Sequence, residues 1–133
     1  KRLLEKYSQE DVFTEYKDER YRSWTNKKCK CDFYIKSTDT FYELNFHHTH
    51  GTHPFNSQNK DDLNLLEELK SQGKEYKIWS ESDVAKINSA LENGIHMYLI
   101  YRTSGKGWEN VDIYEIKDHF ISALDSSDIQ QIY

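Results

Sequence analysis

Two short β-rich runs carry the residues with the most chemistry to offer. Lys30–Ile35 (KCDFYI) and Thr40–Phe46 (TFYELNF) flank Lys36-Ser37-Thr38-Asp39, a turn composition, so the spacing predicts a hairpin. A four-residue turn sets Ile35 opposite Thr40, Phe33 opposite Tyr42 and Asp32 opposite Glu43. Cys31, Phe33, Ile35, Tyr42 and Leu44 then share one face, expected to be the core. Asp32, Tyr34, Phe41, Glu43 and Asn45 share the other. Carboxylates directly opposite each other stand about 5 Å apart at Cβ and repel. A divalent cation between them relieves the repulsion. Mg²⁺ and Mn²⁺ prefer such hard oxygens, and the backbone carbonyl of Leu44 is a ready third ligand. The alternative is a carboxylate protonated or screened by solvent on an exposed edge.

Imidazoles follow at once. His47, His48, His50 and His53 all lie in NFHHTHGTHPF, where Gly51 allows a sharp turn and Pro54 stiffens the exit. A carboxylate pair with imidazoles at the end of a strand suits metal-assisted hydrolysis: the metal polarises a phosphate, and a histidine moves a proton.

Asp32, ten intervening residues and Glu43-Leu44-Asn45 resemble the PD-(D/E)XK nuclease motif, with Asn45 at the usual lysine position. CDFYI, E-x-N and THG-x-HPF (Thr49, His50, Gly51, His53, Pro54, Phe55) together resemble the branch of very-short-patch-repair and phage or intron-encoded homing endonucleases. The resemblance covers about residues 1–101, with its diagnostic part in Cys31–Phe55. It implies an α/β fold with a restriction-endonuclease-like core, a central mixed β-sheet flanked by helices. It also implies a Mg²⁺- or Mn²⁺-dependent DNA endonuclease. By the same resemblance Asp32, Glu43 and the Leu44 carbonyl bind the metal, His50 is the catalytic imidazole, and His53 supports it. Asn45 orients water or phosphate, and Glu5 stands for the acidic residue of a first helix. The implied partner is double-stranded DNA, with an additional DNA-reading module or protein partner, in the cytoplasm of a bacterial host or from a phage gene.

These side chains need elements to position them. Residues 1–10 read as a helix and Val12–Tyr16 as a first strand, followed by a basic loop. Asp61–Lys70 has Leu63, Leu66 and Leu69 at helical spacing, expected to be core. Tyr76–Trp79 reads as a short strand. Ser82–Asn93 reads as a helix with Ser80 or Ser82 as N-cap, Asp83 in a capping role, Val84, Ile87 and Leu91 buried, and Gly94 as its stop. Ile95–Tyr101 reads as a central strand, Arg102–Asn110 as a turn, Val111–Ile116 as an edge strand, and Asp118–Leu124 as a closing helix running toward Tyr133. One Pro and five Gly leave no interdomain linker, so residues 1–133 are expected to form one domain, a core to about 101 and an extension over 102–133.

The net charge of −5 speaks against nucleic acid until its distribution is considered. Lys1–Lys36 holds ten basic and seven acidic residues, and the remainder eight and sixteen. Arg20, Arg22, Lys27, Lys28, Lys30 and Lys36 alternate with Tyr21, Trp24 and Tyr34, a mixture suited to phosphate contacts and base stacking. The plainer reading is a solvated basic loop. Cys29 and Cys31 are too close to staple a fold, and Zn²⁺ held by them and two histidines is the chemical alternative. No apolar run approaches a membrane span, and the start lacks a signal-peptide pattern, so a soluble intracellular protein without a membrane partner is expected. His96 and His119 read as hydrogen-bonded structural residues. The functional alternative is a nuclease-fold module that no longer cuts and binds nucleic acid or a protein, with or without structural zinc.

Overall fold

A computed structural model describes residues 8–22, 28–104 and 110–125, with Arg22, Lys28 and Cys29 described in their backbone. The proposed first helix, apart from residues 8–10, lies outside this set, as do Glu5, Trp24, Lys27 and the final residues 126–133. The chain builds a six-stranded mixed sheet in the order β1 (Val12–Arg22), β2 (Lys28–Ile35), β3 (Thr40–Asn45), β4 (His96–Ser104), β5 (Asn110–Lys117), β6 (Phe120–Ala123). All neighbours are antiparallel except β3 and β4, which run parallel. A parallel pair requires a long crossover, and it is supplied by α1 (Lys60–Ser71), a π-turn at Ile78–Ser82 and α2 (Asp83–Glu92). The class is α/β.

Apolar side chains fill both faces of the sheet. One cluster gathers Tyr21, Tyr34, Phe41, Met97, Leu99 and Tyr101 under Ile87 and Ala90 of α2. The other contains Ile35, Tyr42, Ile100 and Ile113, with Phe33 and Leu44 packed against it. The expected division into a core face and a polar face is therefore corrected: Tyr34 and Phe41 belong to the larger core. Cys31 joins them rather than Phe33 and Ile35. Glu15 has φ of 48°, and it lies between the Thr14–Phe33 and Tyr16–Cys31 pairs of the β1–β2 ladder. That left-handed residue interrupts the alternation of side chains, so Tyr16 stacks on Tyr34 with ring centroids 4.1 Å apart.

The hairpin register holds as far as Phe33–Tyr42 and Ile35–Thr40. The region read as a basic loop is largely strand, because β1 continues to Arg22 and β2 begins at Lys28. Its alternation is hidden in sequence by the charges on the exposed side. Tyr76–Trp79 is not a strand. Trp79 lies in the π-turn, and its buried ring is held by the histidine loop rather than by a partner strand. Neither serine caps α2: Ser82 is already helical with no side-chain capping bond, and the Ser80 hydroxyl donates back to the Tyr76 carbonyl.

The leucine stripe of α1 is corrected too. Leu63 and Leu65 are 42% and 41% exposed, Leu66 and Leu69 are half-buried, and the one buried residue of the helix is Asp62. Among the described residues α1 packs only lightly against other elements, so its leucine stripe is at most half-buried. The expected edge strand Val111–Ile116 is internal, because the expected closing helix is β6. Asp118 and His119 adopt φ of 52° and 68°, which reverses the chain into a hairpin. His119 thus sits in a turn, its ring bonded to the Leu91 carbonyl at 2.7 Å. His96 is structural as expected, bonded to Glu115 at 2.8 Å. No helix among the described residues is long and apolar enough to cross a membrane.

Candidate active site

Where the β2–β3 ladder ends, its two carboxylates take over. Glu43 Oε1 accepts the Asp32 backbone N–H at 2.9 Å, and Asp32 Oδ2 accepts the Leu44 backbone N–H at 2.7 Å. Each side chain satisfies the opposite strand, which joins Asp32 and Glu43 through two bonds instead of the direct side-chain pairing expected from the register. Asp32 faces solvent, whereas Glu43 is buried. Glu43 Oε2 accepts the Tyr21 hydroxyl at 2.9 Å. Burial, and then the Asp32 charge, push the Glu43 carboxyl up to about 7; Lys86 and the two donors act in the opposite direction.

Glu43 and Asn45 line a small void of about 10 Å³, room for about one water, together with Tyr21, Asp83, Lys86 and Leu99. The parallel ladder is what brings Leu99 beside Glu43 and Tyr101 beside Asn45. Tyr101 is fully buried, and its hydroxyl makes no well-formed hydrogen bond. Burial, then the Asp83 charge, raise its pKa against the opposing influence of the Asn45 side chain. From α2, Asp83 carries the connection to the histidine loop, its Oδ2 lying 2.6 Å from His50 Nδ1. An acceptor there places the proton on Nδ1 and leaves Nε2 available as a base.

The histidine loop is fastened locally. His48–His50 forms a single 3₁₀ turn, and Gly51 with φ of 70° passes against the Trp79 ring. Trp79 Nε1 donates to the His53 carbonyl at 2.8 Å, and its ring meets Phe55 edge-on. His53 points elsewhere. Its Nε2 lies 2.6 Å from Asp62, which also accepts the Asn56 N–H at 2.9 Å. His47 and His48 are exposed.

The structure thus brings together Glu43, Asn45 and, through Asp83, His50, with Asp32 next to Glu43. It does not bring His53 to them. Of the cationic set, Arg20 is engaged by Asp18 and Asp39 at 2.9 Å each, which hold those two carboxyls below their usual range and anchor the hairpin turn. Lys30 and Lys36 are exposed, and the side chains of Arg22 and Lys28 lie outside the described set. Tyr21 and Tyr34 are buried, so they are core residues and not the stacking platforms expected from sequence.

The donors suit a hard dication in charge: two carboxylates share one locality, one of them reluctant to ionise because it is buried and stands beside the other's charge, and Asp32 Oδ1 has no partner among the described residues. No group of three metal-ligating side chains converges among the described residues. Zinc chemistry is less suited to Cys31, whose thiol donates to the Phe33 carbonyl and is pushed up to about 12 by burial.

Sequence reasoning missed Asp83, Lys86, Asp62 and the inward role of Tyr21. Asp83 was legible as an acidic residue before an apolar helical stripe, a pattern that capping explains equally well. Together these features define an α/β protein with a buried carboxylate, carboxamide and histidine–aspartate arrangement at the end of a parallel strand pair. Comparison with known proteins returns no match among family models, curated proteins or solved structures.

Proposed function

We propose that the chain is a metal-dependent DNA endonuclease domain of the phage or mobile-element homing type, built on a restriction-endonuclease-like core. The single observation that carries this is the convergence of Glu43, Asn45, Asp83 and Lys86 on one small void, with Asp83 bonded on its other side to His50. The order of three antiparallel strands, a helical crossover and a further strand supports the same core, with β4 in the place that Tyr76–Trp79 was expected to fill.

Asp32, Glu43 and the Leu44 carbonyl are the groups that would hold Mg²⁺ or Mn²⁺. When bound, the cation supplies Lewis acidity at the scissile phosphate. His50 Nε2 takes a proton from the attacking water, because Asp83 holds the proton of the ring on Nδ1 and stabilises the imidazolium. Lys86 offers positive charge near the developing phosphorane charge, and Asn45 orients water or a phosphate oxygen. Lys30 and Lys36 offer contacts to the DNA backbone. Supercoiled plasmid incubated with Mg²⁺ tests the proposal: the wild type is expected to cut, with Asp32→Ala and His50→Ala inactive, and equal behaviour of all three overturns it.

One observation favours the second reading, a nuclease-fold module that binds without cutting. Asp32 and Glu43 each spend an oxygen on backbone N–H groups of the opposite strand. Under that reading DNA is retained, with or without zinc, while Mg²⁺ produces no cleavage.

A further inference from the structure

A second and larger cleft, of about 580 Å³, opens between the loop carrying His53, the flank of α2 formed by Val84, Ile87, Asn88 and Leu91, and β5–β6. Its size falls within the range of small-molecule sites. Ile87 lines both this cleft and the Glu43 cavity, so the two are neighbours across one residue of α2.

The lining offers no free cation. Among the described residues it contains no Lys or Arg, and so nothing to attract phosphate or carboxylate. Its one carboxylate, Asp62, is buried and already accepts from His53 and from the Asn56 backbone, which leaves little for a cation. What remains are the apolar and aromatic surfaces of Phe55, Ile87 and Tyr114 mixed with neutral polar groups, the carboxamides of Asn56, Asn59 and Asn88 and the Ser122 hydroxyl among them. The Asn88 carboxamide has no hydrogen-bond partner among the described residues. A carboxamide offers a donor and an acceptor side by side, matching the edge of a heterocyclic base, while aromatic walls suit its faces.

We propose that this cleft holds a single unpaired nucleobase, the one adjoining the scissile phosphate. The choice of a base over another neutral ring rests on the nuclease reading, whereas the neutral, flat, edge-bonding character of the ligand comes from the cleft itself. Entry of a base requires it to leave its stack, at a cost that is smallest for a mismatched or single-stranded position.

The probes are the four free deoxynucleosides, which have neither phosphate nor need of metal, titrated into the 133-residue protein by NMR and calorimetry. At least one nucleoside is expected to shift the Asn88 side-chain and Tyr114 resonances. Asn88→Leu, an exposed position, is expected to weaken that binding about tenfold or more with the melting temperature unchanged. No shift at the solubility limit, equal binding by Asn88→Leu, or comparable binding of glucose overturns the proposal. Nucleoside binding without plasmid cleavage removes the nuclease reading and leaves the pocket; cleavage without nucleoside binding removes the pocket alone.

Discussion

Glu43→Gln is expected to make the protein more stable at neutral and alkaline pH. In the folded state burial and the Asp32 charge raise this carboxyl from 4.5 to about 7. Between those values the folded chain binds a proton that the unfolded chain has lost, so stability falls as pH rises through the window and levels off above about 7. Each tenfold rise in proton affinity on folding corresponds to about 1.4 kcal/mol, so the full loss is about 3 kcal/mol. Glutamine is neutral throughout and makes the same bonds. Its carbonyl accepts the Asp32 N–H, and its amide donates to the Tyr21 oxygen once that hydroxyl turns to accept. Urea denaturation in EDTA at intervals from about pH 4.5 to about pH 8.5 spans the window and measures the difference. The two proteins should be equally stable at the acid end, and the variant more stable by up to about 3 kcal/mol at the alkaline end. Excess Mg²⁺ at about pH 8 should then raise the wild type alone, since the cation supplies the missing positive charge. A difference that does not grow with pH, or a variant less stable in alkali, refutes the assignment of Glu43 as a buried carboxylate held in a hostile environment.

Three further outcomes are expected. Asp83→Asn replaces the acceptor-only carboxylate that fixes the His50 tautomer by a neutral carboxamide that can donate as well as accept, so single-turnover plasmid cleavage should fall by about 10²-fold or more with circular dichroism unchanged; undiminished cleavage removes Asp83 from the site. Gly51→Ala forces a side chain onto a backbone with φ of 70° and sets its Cβ 2.9 Å from Trp79 Nε1, so unfolding free energy should drop by about 1–3 kcal/mol, accompanied by a change in tryptophan fluorescence. Ile87→Ala should cost about 2–5 kcal/mol, whereas Leu63→Ala should cost under about 1 kcal/mol; similar losses at both positions contradict the peripheral placement of α1.

Much of the hairpin was legible because its determinants are local. The turn composition and the β-branched and aromatic runs set the register of Phe33, Ile35, Thr40 and Tyr42, and the helix over Asp83–Glu92 follows from its own stripe. The Asp32–Glu43 relation was half legible. Sequence spacing put them at one place, but ladder termination at Phe33–Tyr42 decided that each bonds the other's strand. The short strand β6 and the π-turn were not legible, since a left-handed turn at Asp118–His119 and a tryptophan in a helical segment carry no periodic signal. The leucines of α1 show the reverse failure: a strong period that meets only partial cover, leaving Leu63 and Leu65 exposed.

By itself the sequence determined the hairpin, the clustering of imidazoles after it, and an amphipathic second helix, all through contacts between residues near in the chain. Only the tertiary structure decided which of those groups meet. The parallel pairing of β3 with β4 requires the intervening helices to cross the sheet, and that crossing delivers Asp83 and Lys86 to Glu43 and Asn45. Asp83 therefore ends 2.6 Å from His50, a separation of 33 residues that no local pattern encodes, and His53 is drawn away to Asp62 on a helix that lies apart from the sheet.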